Sequence, residues 1–162
     1  MMASAHLHLL LDFLGDAKTT PRTDQPGGSL ENVVGGRRWT DGTGSGQVDT
    51  TFVDAARVLG SSATQSYDFL AAGTLEDIDG NTVDLDELKM LAIVVSAGDV
   101  IINAPAANFL GIFTDATDLL NVSTAYFQDF GAAGLDVTTN SKIDVTAGGS
   151  GATYTLIVVG AS

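Results

Sequence analysis

From residue 48 to the C-terminus, short apolar runs follow one another at close intervals. Gly, Asn, Asp or Ser separates most of them, and β-branched and aromatic residues are frequent within them. They lie at 51–59, 64–71, 89–96, 99–103, 118–127, 134–138, 142–146 and 152–160. This spacing is typical of antiparallel all-β domains. We therefore predict an all-β fold over residues 48–162, an antiparallel β-sandwich or jelly-roll-like barrel of about eight strands.

Residues 1–47 have a different character. The stretch 15–50 is polar, rich in glycine and without periodicity, which favours an extended loop. Because so long an irregular stretch is unusual inside a compact domain, we predict an extended N-terminal arm that becomes ordered against a partner. The apolar run 6–14 suits either a strand or a short helix. Four of its side chains are predicted to anchor the arm: Leu7, Leu9, Leu11 and Phe13.

The chain is strongly acidic. It has 20 Asp and Glu residues against 7 Lys and Arg residues, a net charge of −13. Residues 58–162 carry thirteen of the acids and only Lys89 and Lys142 among the bases. A surface of this sign repels nucleic acid and anionic lipid, so we expect neither as a partner. No apolar run approaches the length of a membrane-spanning helix, about 18 residues.

Residues that carry most enzyme chemistry are scarce. The chain has no cysteine, and both histidines, His6 and His8, lie in the predicted arm. Thiolate nucleophiles and cysteine-ligated metals are therefore excluded, and a Ser-His-Asp triad would lie far from the β-domain. No lysine follows a glycine as in a P-loop, and the glycine-rich segment 42–46 lacks the flanking strand and helix of a dinucleotide-binding loop. We predict no enzymatic activity and no cofactor.

The densest acidic segment is 76–87, EDIDGNTVDLDE. Its candidate ligands for a cation are Asp77, Asp79, Asn81 and Asp84. The first three occupy positions one, three and five of a calcium-binding loop, but the glycine at position six and the acid at position twelve are missing. A regular EF-hand is excluded. An irregular oxygen-ligand site and a polar hairpin turning at Gly80 are the two interpretations, and we favour the hairpin without a metal.

Arg37, Arg38 and Trp39 form the most distinctive group in the arm. Arginine beside tryptophan is a composition enriched at the energetic centres of protein interfaces. We therefore predict that these residues contact a partner. In the other interpretation, Trp39 covers the protein's own sandwich and the arginines balance its acids.

Three segments carry a resemblance to a known family. They are WTDGTGSGQVDTTFVDAARVL at 39–59, YDFLAAGTLEDIDGNTVDLDELKMLAIV at 67–94, and VTAGGSGATYTLIVVGAS at 145–162. Their order resembles that of small virion proteins of tailed bacteriophages, in which an opening "DGTG-x-x-Q-x-D", a central "L-x-G-x-L-x-D-x-x-G-x-T" and a closing "TY" strand recur. The resemblance begins at Trp39, and residues 1–38 have no counterpart.

The resemblance implies a β-sandwich building block of the particle, with no catalytic residues. Within a virion it implies a capsid decoration or cement protein, made in the host cytoplasm and bound to the major capsid protein on the outer capsid surface. Closed symmetry suits such a position, and a homotrimer is our expectation. The alternatives are a tail- or fibre-associated virion module and a calcium-dependent carbohydrate-binding module that uses residues 76–87.

Overall fold

The computed structural model describes residues 39–70 and 75–162 of the chain. These residues form β-strands joined by turns, without a helix among them. The strands are β1 (Thr40–Asp41), β2 (Gln47–Val48), β3 (Thr50–Leu59), β4 (Thr64–Asp68), β5 (Glu87–Asn103), β6 (Leu119–Val122), β7 (Ala125–Asp129), β8 (Leu135–Asp136) and β9 (Lys142–Ala161). The prediction of an all-β, antiparallel fold is confirmed. The anchor residues predicted in the run 6–14 lie outside the described residues.

Two long strands form the centre of the main sheet. β5 and β9 pair from Glu87 opposite Ala161 to Asn103 opposite Asp144. β3 and β4 pair with the other side of β9, and β6, β7 and β8 pair with the other side of β5. All of these pairings are antiparallel, whereas the short β1–β2 pair is parallel.

Shifts in the β5–β9 register divide this sheet into two halves. The two dividing shifts lie between Val95 and Ala97 and between Gly98 and Val100, and a third lies near the start of β5, between Leu88 and Met90. Irregularities of this kind bend and twist a sheet. The first half, as we name it, contains β3, β7, β8, Glu87–Val95 of β5 and Tyr154–Ala161 of β9. The second half contains β4, β6, Val100–Asn103 of β5 and Lys142–Ala147 of β9.

The two halves face each other across one apolar core. Tyr67 of the second half packs edge-to-face on Phe52 of the first half, with ring centroids 6.1 Å apart. Its hydroxyl lies 2.6 Å from the hydroxyl of Tyr154, which also belongs to the first half. The buried residues that line both inner faces form a single cluster. This packing is that of a sandwich whose layers share two continuous strands.

Glycines explain where the strand count differs from the prediction. The runs 89–96 and 99–103 are one strand, and so are 142–146 and 152–160, whereas 118–127 is interrupted between β6 and β7. Gly98 and Gly151 have φ of +73° and +79°, values that favour glycine. A side chain at Gly98 would also meet the carbonyl oxygen of Gly151. These glycines sit where the sheet bends, so the chain continues through positions that resemble turns in sequence.

Candidate binding surface

An apolar row crosses the outer face of the first half, the face turned away from the core. Four directly paired residues form this row: Val53 on β3, Ile157 on β9, Ala92 on β5 and Phe127 on β7. Directly paired residues point to the same side of a sheet, so the four side chains share this face. Ala92 and Ile157 are buried, at 0% and 4% exposure. Something therefore covers the centre of the row.

The cover is Trp39 together with Val48. Both belong to a second apolar cluster with Met90, Ala92, Ile157 and Val159, and Val53 packs against it. Trp39 is 8% exposed. Its indole Nε1 is buried and has no hydrogen-bond partner among the described residues. The structure thus places Trp39 on the protein's own sheet, as in the second interpretation, while Arg37 and Arg38 lie outside the described residues.

The segment 39–48 is held by contacts of its own. The side chain of Gln47 accepts a hydrogen bond from Gly44 N (2.9 Å) and donates one to Asp41 O (3.2 Å). Gly42 has φ of +133°, and a Cβ there would lie 2.8 Å from the Gln47 amide oxygen. Gly46 N donates to Ala132 O at 2.8 Å. Residues 39–47, assigned to the arm from sequence, therefore pack with the domain.

Lys89 forms hydrogen bonds with loop 130–134, the loop that contacts segment 39–48. Its side chain is fully buried. Nζ donates to the carbonyl oxygens of Ala132 and Ala133, both at 3.0 Å, and also to the carboxylate of Glu87. Gly134, with φ of +79°, leaves room for the lysine stem. A buried ammonium group is tolerated when acceptors surround it in this way. Lys89 is therefore a structural residue that fixes loop 130–134 beneath the Trp39 segment.

The apolar row emerges from under Trp39 at β7. Phe127 is 44% exposed. Ala125 is exposed and Val94 half-buried beside it, and these two are paired on the same face. This part of the first half is an apolar surface that no described residue covers. We name Phe127, Ala125 and Val94 the β7 patch; Val53, at the other end of the row, packs against the Trp39 cluster.

None of the residues predicted from sequence to form a site belongs to the β7 patch, although the sequence contains a signal for it. The segments 90–95, MLAIVV, and 156–161, LIVVGA, are continuously apolar and do not alternate. Such runs are typical of strands that are buried on both faces. They therefore indicate that the outer face of the first half requires a cover.

The domain that carries this patch is strongly acidic. Residues 39–162 contain sixteen Asp and Glu residues and three Lys and Arg residues. Each of the three bases is paired: Arg57 with Asp54 at 2.7 Å, Lys142 with Asp68 at 3.3 Å, and Lys89 with Glu87. The bases of the domain are thus engaged within the fold, and the net charge of −13 belongs to this part of the chain.

The acidic segment 76–87 contains the predicted hairpin. Glu76 and Thr82 form an antiparallel bridge, and Gly80 has φ of +82° at the turn. The Asp77 carboxylate accepts hydrogen bonds from Asp79 N (2.9 Å) and Asn81 N (2.7 Å), and from the Asn81 side chain (3.3 Å). Asp77 therefore shapes the turn. Across residues 39–70 and 75–162, no three acidic or histidine side chains are grouped as a metal site.

A network of polar side chains from β3, β4 and β9 joins the two halves of the sheet. Tyr67 donates its hydroxyl to Asp54 Oδ2 at 2.7 Å, and Arg57 Nε donates to the same oxygen at 2.7 Å. Between Asp54 and Arg57 the β3 register shifts, and Ala56 has φ of +51°. Local strain of this kind often accompanies functional sites, but here the bulge positions Arg57 on a structural carboxylate.

Burial governs the ionisation of this network. It raises the pKa of Tyr67, and hydrogen bonds to Tyr154 and Asp54 raise that pKa further. Burial also raises the pKa of Tyr154 to about 12. Both hydroxyls are therefore protonated at neutral pH. The two neutral tyrosine hydroxyls bind each other, and the Tyr67 hydroxyl also donates to the Asp54 carboxylate, so the network links β3, β4 and β9.

Neither the protein-family models nor the curated proteins include a match to this chain. Within the described residues, no helix has the length and apolar character required to cross a membrane.

Proposed function

We propose that this protein is a non-enzymatic structural component of a tailed-phage particle, a decoration protein that binds the assembled major capsid protein lattice. The observation that carries the proposal is the β7 patch, an uncovered apolar surface on a domain with a net charge of −13. Exposed apolar patches with polar surroundings are typical of protein-binding sites. The resemblance to virion proteins supports a capsid as the partner.

The polar groups of the domain are consistent with a binding role. Lys89, Asp77 and the Tyr67–Asp54 network each maintain a loop, a turn or a junction of the sheet. A rigid β-domain suits a protein that must keep one surface in register with a lattice. Because a decoration protein binds only the assembled shell, its binding free energy stabilises assembly over dissociated subunits.

The N-terminal extension adds to this contact in the proposal. Trp39 is packed beside the β7 patch, so residues 1–38 connect to the domain on the same face. A small globule offers limited area, and stable interfaces bury about 800 Å² on each partner. Anchors at Leu7, Leu9, Leu11 and Phe13, together with Arg37 and Arg38, would enlarge the interface. A homotrimer at a local three-fold axis remains our proposal for the assembly.

A reconstitution experiment tests this function. Purified protein is added to capsid shells that lack it, and gradient sedimentation gives the number of copies bound per shell. We expect saturable binding in a multiple of the shell symmetry. A variant lacking residues 1–38 should fold and bind more weakly. Absence of binding to shells, with binding to isolated tails, would contradict the proposal and favour a tail module.

A further inference from the structure

We propose that the β7 patch is the surface by which the domain docks on its protein partner, and that the partner presents an apolar patch bordered by lysine and arginine. This inference rests on the proposed function, because it names the contact surface on this chain and the chemistry of the partner surface.

Burial identifies the face. Ala92 and Ile157 are buried although they point away from the core, because Trp39 and Val48 cover them. The cover ends before β7, where Phe127 is 44% exposed. An exposed phenylalanine continuous with a buried apolar row is an anchor that a second surface can bury without disturbing the fold. Aromatic anchors of this kind supply much of the binding energy in protein interfaces.

The second half shows that this apolar surface is local. Apart from Ile101 and the exposed Leu119, its outer face carries polar side chains, some of which bind one another. The hydroxyls of Thr64 and Thr146 are 2.8 Å apart, and Asn103 Nδ2 donates to Thr146 Oγ1 at 2.8 Å. The same two long strands build both outer faces. The apolar patch is therefore a property of one face, and docking through it would leave the polar face towards solvent.

Charge selects the partner. The domain has sixteen acids and three bases, and all three bases are in ion pairs. Asp41 and Asp49 are exposed on the segment that carries Trp39 and Val48. A second copy of this domain would bring another net charge of −13 to the contact, which disfavours a face-to-face homodimer. A cationic border on another protein is complementary and accelerates association at low salt.

The test compares two single substitutions at exposed apolar residues. Phe127→Asp alters the β7 patch, and Leu119→Asp alters a residue on the outer face of the second half that is 56% exposed, against 44% for Phe127. Thermal unfolding verifies that both variants fold. We expect Phe127→Asp to weaken binding to shells by about 30-fold or more, the effect of losing an interface anchor. Leu119→Asp should bind as the unmodified protein does.

Ionic strength provides the second arm. Binding of the unmodified protein should weaken several-fold between about 0.05 M and about 0.5 M salt, because added ions screen the opposite charges. Phe127→Asp with unchanged affinity would overturn the inference. Equal loss in both variants, or loss only in Leu119→Asp, would also overturn it. If the unmodified protein self-associates and Phe127→Asp is monomeric, the patch is a self-interface and the partner proposal is wrong.

A probe that does not depend on the capsid separates this inference from the proposed function. The same three proteins are titrated with an amphipathic peptide of leucine and lysine. If the unmodified protein binds the peptide through Phe127 but does not bind shells, the surface is supported and the capsid function fails. If it binds shells while Phe127→Asp retains full affinity, the function stands and the docking surface is wrong. Binding to neither partner overturns both.

Discussion

The two halves of the sheet are built by the same strands, yet their outer faces differ. In the first half most outward residues of β5 and β9 are apolar and buried, including Met90, Ala92 and Ile157, and Thr155 is a polar exception. In the second half the outward residues of the same strands include Asn103, Asp144 and Thr146, which are half-buried. Both inner faces belong to one core. The difference therefore lies in what each half presents outward.

The same two strands are therefore buried on one face in the second half and on both faces in part of the first half. Where one face is buried, apolar and polar residues alternate, as in KIDVTA at 142–147. Where a second layer covers the outer face, the apolar run is continuous, as in LIVVGA at 156–161. The second layer here is the short segment that contains Trp39 and Val48, and it covers only part of the face. The uncovered remainder is the β7 patch.

The largest effect is expected at the junction of the halves. Gly98→Ala should lower the free energy of unfolding by about 3 kcal/mol, because φ is +73° and the new methyl group meets the Gly151 carbonyl oxygen. Chemical denaturation measures this loss. Gly149→Ala is the matched control on β9: its Cβ would have open space, so we expect a change within about 0.5 kcal/mol. Equal effects would mean that the bend does not depend on Gly98.

The junction also marks the limit of what the sequence predicts about the fold. Alternating runs and turn residues predict the antiparallel all-β class and place most strands. They do not distinguish a glycine in a turn from a glycine in a bulge, because both positions require the same left-handed backbone. Gly98 and Gly151 are bulge positions within long strands. Whether such a glycine lies in a turn or in a bulge depends on which distant segments of the chain pair with each other.

Substitution of Trp39 tests how much the residue that covers the outer face of the first half contributes to the stability of the protein. Trp39→Ala should lower the free energy of unfolding by about 3 kcal/mol, since it uncovers buried Met90, Ala92 and Ile157. Trp39→Phe retains an aromatic cover and lacks the unpartnered buried Nε1, so we expect a smaller loss. Denaturant titration by circular dichroism measures both. A loss below about 0.5 kcal/mol for Trp39→Ala would place the side chain at the surface.

A matched pair of isoleucines compares the two outer faces directly. Ile157→Thr replaces a residue that is 4% exposed under Trp39, and should cost about 2 kcal/mol. Ile101→Thr makes the same change on the outer face of the second half, where Ile101 is half-buried beside Thr146 and Asn121. We expect a cost below about 1 kcal/mol. Equal costs would remove the distinction between the faces.

The proposed binding surface was less predictable from sequence than the fold. The sequence of Arg37, Arg38 and Trp39 favoured either a contact with a partner or a tryptophan that covers the protein's own sheet. Trp39 packs on the protein's own sheet. Phe127 is an unremarkable aromatic residue in a short strand, and only its pairing with Ala92 places it on the apolar face. Sequence patterns locate apolar runs, but exposure depends on which segment covers each run. Coverage is a tertiary property.

The hydrogen bonds that link the two halves are expected to contribute graded, moderate amounts to stability. Tyr67→Phe removes the hydroxyl that bonds both Asp54 and Tyr154, and should cost about 2 kcal/mol. Tyr154→Phe removes one of these bonds and should cost about 1 kcal/mol. Tyr126→Phe, whose hydroxyl has only a long contact to Gln128 of 3.4 Å, is the control and should cost less. Denaturation at neutral pH gives all three values.

The same network gives a pH dependence with a defined sign. The pKa of Tyr154 is raised to about 12 in the folded protein, mainly by burial, and burial also raises the pKa of Tyr67. An unfolded tyrosine titrates near pH 10. A raised pKa favours the neutral hydroxyl in the fold, so this stabilisation is complete below about pH 10 and is lost as the pH rises towards 12. We expect the free energy of unfolding to fall across this interval, and to fall less in Tyr154→Phe. An equal fall in both proteins would show that the link between the halves does not depend on the neutral Tyr154 hydroxyl.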